Sequence, residues 1–407
     1  MSGRRRRPAL SARTSARGRG SPPRGSTHQR SKGRTPFDVD ALLDDPATRI
    51  VVCCGSGGVG KTTTAAALGL RAAERGRSVV VLTIDPARRL AQALGLDELD
   101  NTPRPVKGHR GEGRLEAMML DMKRTFDEVV ESHASQAKAR QILDNPFYIA
   151  LSSSFAGTQE YMAMEKLGQL HARAETDASW DLIIVDTPPS RSALDFLDAP
   201  EHLASLLDGR FVRMLLAPAR GPARLLSVGL GVVTAALNKV LGAQVLTDMQ
   251  TFIAACDTLF GGFRQRAEAT YALLQAAGTA FVVVATPEAD ALREATYFVE
   301  RLSNEHMPLA GLVVNRVQDV MTPSLSASAA EQAAERLADH HPDEYEATAG
   351  LLLVHAERAR LRQRQDRLRK GFAGAHPEVP TVGLAALAGD VHDLDGLRRV
   401  GDLLAAG

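Results

Sequence analysis

Nine consecutive residues, Gly55-Ser56-Gly57-Gly58-Val59-Gly60-Lys61-Thr62-Thr63, combine four glycines, one lysine and three hydroxyls in the spacing G-x-x-x-x-G-K-[ST]. Glycines let a backbone curl until successive N–H groups of Gly57, Gly58, Val59 and Gly60 face one anion. Lys61 adds a positive charge suited to β and γ phosphates, while Thr62 and Thr63 supply hydroxyls, that of Thr62 suited to Mg2+. The apolar run Ile50–Cys54 before the loop predicts a buried strand, and Thr64–Leu70 after it predicts a helix. A glycine-rich turn with a chance lysine would not require both flanks. The pattern implies a nucleoside triphosphate site.

Two carboxylates stand where such a site needs them. Asp186 closes the apolar run Leu182–Val185, and a carboxylate at that strand tip suits Mg2+ held partly through water. The plainer alternative is a strand-ending Asp that caps the next helix. Asp85 follows Ser78–Ile84 in the same way and has the chemistry to orient or deprotonate an attacking water. An N-cap ahead of Pro86 is its alternative role. Arg88, Arg89 and Arg191 sit near these turns as candidate cations for a transferring phosphoryl group, or as solvated surface residues.

The elements that must carry these residues alternate along the chain. Apolar strands are expected at Ile50–Cys54, Ser78–Ile84, Leu115–Leu120, Leu182–Val185, Phe281–Ala285, Leu312–Val314 and Thr381–Leu384, with helices between them. Short, continuously apolar strands separated by helices predict a mostly parallel, doubly wound α/β sheet covered on both faces. Two helical insertions, about 122–171 and 195–275, are too long for crossovers and are expected to form a helical subdomain. Apolar residues inside the second, such as Leu225–Leu237, suit a subdomain core or a groove for an apolar client.

Composition bounds the rest. The first 35 residues hold ten arginines and one lysine with no acid, so residues 1–40 are expected to be a basic disordered tail and 41–407 the folded domain. The remaining chain carries 38 basic against 48 acidic side chains, which argues against stable nucleic-acid binding. No membrane span and no export signal is legible, and Cys53, Cys54 and Cys256 make neither a disulfide framework nor a zinc pattern. A cytoplasmic location is expected, peripheral to a membrane only through a partner.

Together these pieces resemble the arsenite-pump and tail-anchored-protein-targeting ATPases, a branch of the deviant phosphate-loop ATPases. The matching residues are Gly55–Thr63, the first-switch stretch Thr83-Ile84-Asp85-Pro86-Ala87 and the second-switch stretch Asp186-Thr187-Pro188-Pro189-Ser190. Pro287-Glu288 and Val313-Val314-Asn315 match the nucleotide-base contacts. The resemblance implies an Mg-dependent ATPase acting as a dimer, with Asn315 and Pro287 at adenine and nucleotide state reported to a helical client-binding lobe. The missing N-K-x-D pattern favours ATP over GTP.

The chain departs from the family at three points. Ser56 replaces the lysine that reaches across the dimer, and a neutral hydroxyl cannot replace that charge. The partner is therefore either a second copy or a paralogue carrying the missing lysine. Ser190-Arg191-Ser192 replaces the usual end of the second switch. No C-x-x-C pair and no converging cysteines exist for zinc or arsenite, so arsenite transport is not expected. Competing readings are a non-hydrolysing regulatory subunit and a positioning ATPase on membrane or DNA.

Overall fold

A computed structural model describes residues 37–85, 89–146, 148–149, 158–188, 262, 265–340 and 344–406. The described residues all lie in one unit, Thr35–Gly407. Most of the expected second helical insertion, with its apolar run, Arg191 and Cys256, falls outside them, as do the basic tail up to residue 36 and Arg88.

The chain runs α1 (Val39–Asp44), β1 (Ile50–Cys54), α2 (Lys61–Glu74), β2 (Ser78–Thr83), α3 (Arg89–Ala93), β3 (Arg104–Pro105), β4 (Arg114–Met119), α4 (Met122–His133) and α5 (Gln136–Leu143). Then follow α6 (Thr158–Asp177), β5 (Leu182–Asp186), α7 (265–275), β6 (Thr279–Ala285), α8 (Ala289–Asn304) and β7 (Leu309–Val317). The described chain ends with α9 (Ala327–His340), α10 (Glu346–Ala375), β8 (Thr381–Ala385) and α11 (Leu394–Ala405).

The strands form one sheet in the order β3-β4-β2-β5-β1-β6-β7-β8, parallel throughout except for the β3–β4 pair. Each expected strand is present within a few residues of its predicted bounds, and the sheet is the α/β doubly wound one the sequence implied. The antiparallel edge strand β3 was not foreseen, because two residues carry no periodicity. Among the described residues the helical stretch 122–171 includes α4, α5 and the start of α6, with Asp121 and Ser135 as the N-caps of the first two. Helix α9 was also unforeseen.

Alternation along β1 explains how both faces are covered. Ile50, Val52 and Cys54 join one apolar core with α4, α6 and α8, whereas Val51 and Cys53 join the other with α2, β8 and α11. Both cysteines are fully buried free thiols. Folded structure begins before the expected boundary at residue 41. Phe37 and Val39 are already buried, and Asp40 and Asp44 of α1 pair with Arg71 and Arg75 of α2. Arg77 draws the same corner together by donating to the carbonyls of Leu43, Asp45 and Thr48 and to the Asp181 carboxylate.

Candidate active site

The carboxyl ends of β1, β2 and β5 meet the phosphate loop, the location at which open parallel sheets bind ligands. Gly55 leaves β1 at φ +146°, and a Cβ there would lie 2.1 Å from the Val284 carbonyl oxygen, so only glycine fits. The loop then delivers Lys61 and Thr62 as the first residues of α2. Gly60, at φ +100°, caps that helix with its own backbone, and its carbonyl accepts from Thr64 N–H.

Parallel register sets Asp186 beside Thr83 on one side and Cys53 on the other. Asp186 is fully buried, and its Oδ2 accepts from Thr62 Oγ1 at 2.7 Å and Thr83 Oγ1 at 2.9 Å. Its Oδ1 is buried with no hydrogen-bond partner among the described residues. Burial pushes this carboxyl up to about 6, against the opposing pull of the two threonine hydroxyls and the Lys61 charge. An orphaned carboxylate oxygen beside the Thr62 hydroxyl is a donor set that fits Mg2+, which keeps several waters and needs few protein ligands.

Lys61 is buried, with its Nζ donating to the Ser56 carbonyl at 2.9 Å. Burial lowers its pKa from the usual lysine value. Asp85 follows β2, half-buried, and its backbone N–H donates to Thr83 Oγ1 at 3.2 Å. Thr83 therefore touches both strand-tip acids. The sequence places Thr83 in the first-switch stretch but assigns its hydroxyl no role. Gln159 at the start of α6 donates to the Ile84 carbonyl at 3.0 Å, tying that helix to the same strand end.

Asn315, near the end of β7, donates its amide nitrogen to the Val59 carbonyl at 2.8 Å. A cavity of about 660 Å3 is lined by Gly58, Gly60, Lys61, Thr62, Thr63, Asp85 and Arg89, together with Arg316 and Asp390–His392. A second, of about 400 Å3, continues past Asn315 to the β8–α11 loop. Gly58, Gly60, Lys61, Thr62, Thr63 and Asp85 thus line the first cavity and Asn315 the second, while Asp186 is buried and bonded to Thr62. Gly57 is exposed on the loop, and Val59 is buried beneath it. Pro287 is buried after β6 and lines neither cavity. Arg89 lines the first cavity. The second-switch residues beyond Pro188 lie outside the described chain.

Comparison with known proteins agrees with this geometry. Residues 48–335 match the family described as anion-transporting ATPase. Similar curated proteins include the ATPase GET3 of Malassezia globosa, 28% identical over 42% of this chain and 48% of its own. The ATPase get3 of Sclerotinia sclerotiorum is 27% identical over 69% of this chain and 75% of its own. The ATPase ASNA1 homolog of Cryptosporidium parvum is 28% identical over 65% and 63%. The chain thus spans about half the length of the first of these relatives and more of the others.

Proposed function

The chain belongs to the anion-transporting ATPase family, and from that premise we propose that it is an Mg-dependent, ATP-hydrolysing switch that works as a dimer on a protein or membrane-associated client. The observation that carries this reading is Asp186 held between Thr62 and Thr83 with one buried oxygen left over, directly behind the phosphate loop.

In this reading the loop N–H groups and the α2 N-terminus bind the phosphates of ATP. Lys61 exchanges the Ser56 carbonyl for β- and γ-phosphate oxygens, recovering in charge pairing what its burial costs. Thr62 and Asp186 hold Mg2+, which neutralises charge on the phosphates when bound. Asp85, at the mouth of the cavity, orients the attacking water and takes its proton. Asn315 and Pro287 remain the proposed neighbours of the base. The buried charges of the α6 region and the residues 189–261 would carry the nucleotide state to a client, a tail-anchored membrane protein being the class that the resemblance suggests. The dimer is one of two copies, or of this chain with a paralogue bearing the lysine that Ser56 replaces.

Two variants test the chemistry. Lys61→Ala should abolish ATP binding. Asp85→Asn should bind ATP within about twofold of wild type while turnover falls 100-fold or more, the usual scale for losing a general base. Wild-type turnover in Asp85→Asn would refute its role, and unchanged binding in Lys61→Ala would refute the site. Sedimentation with and without ATP reads the dimer.

A further inference from the structure

Building on the ATP-site reading, we propose that Arg316 is a nucleotide-binding residue that grips the phosphates ATP and ADP have in common, at the junction between polyphosphate and nucleoside.

The first support is its placement. The residues common to both cavities are Gly60, Thr63, Arg316, Asp390 and Val391. These form the lining that the space over the phosphate loop shares with the space that runs to the β8–α11 loop, here called the neck. Lys61 and Arg89 line only the first cavity, so Arg316 is the one cation at the neck among these lining residues. Asp390 brings a negative charge to the same place, and phosphates passing it need a positive partner alongside.

The second support is its backbone. In the β7–β8 pairing Val314 faces Gly383 and Val317 faces Ala385, so Asn315 and Arg316 form a bulge with one residue more than the opposing strand. Arg316 has φ +59°, a left-handed conformation that a structural bulge would ordinarily give to glycine or asparagine. Its N–H donates to Asn315 Oδ1 at 2.8 Å while the other end of that amide holds the Val59 carbonyl. The bulge is thus clamped to the phosphate loop, and it breaks the alternation of β7 at the residue facing the neck. Strained backbone of this kind, retained beside a ligand cavity, marks a residue whose direction matters.

The third support is what the guanidinium does not do. Arg71, Arg75, Arg77, Arg266 and Arg398 are each paired with carboxylates. Arg316 is exposed and has no ion pair or side-chain hydrogen bond among the described residues. An unpaired guanidinium on an anchored backbone, lining an anion-sized cavity, has forked donors to offer phosphate oxygens.

The test is calorimetric binding of ATP and of ADP to the full chain with Arg316→Ala, Arg316→Gly and Arg316→Lys, glycine keeping the left-handed backbone relaxed. Ala and Gly should raise both dissociation constants by about the same factor, tenfold or more, with the melting temperature of the free protein unchanged. Lys should restore most of the loss, and the deficit should shrink as salt is raised. Unchanged affinities in Arg316→Gly would overturn the assignment, as would a loss confined to ATP, which would place the contact on the γ-phosphate. A wild-type chain that binds neither nucleotide would instead overturn the ATP-site reading beneath it.

Discussion

Asp186 sits where the fold favours a neutral acid and a divalent cation favours an ionised one. Its carboxyl, raised to about 6 by burial, takes up a proton in the folded chain at pH values where the unfolded chain has already lost it. Stability from this group is therefore present at low pH and is lost as pH rises from roughly 4 through 6, levelling off above. Asp186→Asn removes that slope. The free variant should match wild type near pH 4 and exceed it at pH 7.5, by up to roughly 3 kcal/mol at 1.36 kcal/mol per unit. Urea denaturation at the two pH values measures the difference. Mg-nucleotide binding should move the opposite way: it needs the ionised form, so in wild type it strengthens up to about pH 6, and in the variant it is weak throughout. At this scale the sequence was most informative, because the phosphate loop is a contiguous pattern whose chemistry follows from spacing. The Thr83–Asp186 contact and Arg316 were not legible, since each depends on a strand register or a bulge that only the assembled sheet defines.

Among the elements, α6 spans from the tip of β2 to α7, which enters the sheet through β6. Gln159 holds one end to Ile84, and further along Glu165, nearly inaccessible to solvent, pairs with Arg266 of α7 at 2.9 Å and accepts from Tyr161. Gly168 lets the two helices approach, since a Cβ there would lie 2.7 Å from Thr270 Oγ1. Arg266→Ala would leave Glu165 buried without its countercharge. It should destabilise the protein by about 3 kcal/mol, while the apolar pair Glu165→Leu/Arg266→Met should cost much less. Chemical denaturation of the three variants separates lost packing from stranded charge. The strands of this region were readable from apolar runs, whereas the helix bounds depend on caps such as Asp121 and Ser135 that the apolar pattern does not mark.

For the whole molecule, the line between tail and domain is set by α1. A chain beginning at residue 36 should melt with wild type and bind ATP equally well. One beginning at residue 46 loses the buried Phe37, Val39 and Leu43, takes both carboxylate partners from Arg75 and leaves Arg71 with Asp402 alone. At roughly 1.5–3 kcal/mol for each buried side chain, its melting temperature should drop by 5 °C or more. Charge counting marks where arginines stop, whereas burial is already present at Phe37 and Val39. None of the described helices is long and apolar enough to cross a membrane.

The two adjacent thiols of β1 give the centre of the sheet a built-in clock. Cys53 and Cys54 face opposite cores with no access to solvent, and burial pushes the Cys54 thiol up to about 12 and that of Cys53 well above its usual value. Alkylating reagents and oxidants, which consume thiolate, can therefore reach them only when the strand that launches the phosphate loop detaches from both neighbours. The rate at which they are modified measures how often the innermost strand lets go, and any bound ligand that slows it has tightened the sheet from its middle outward.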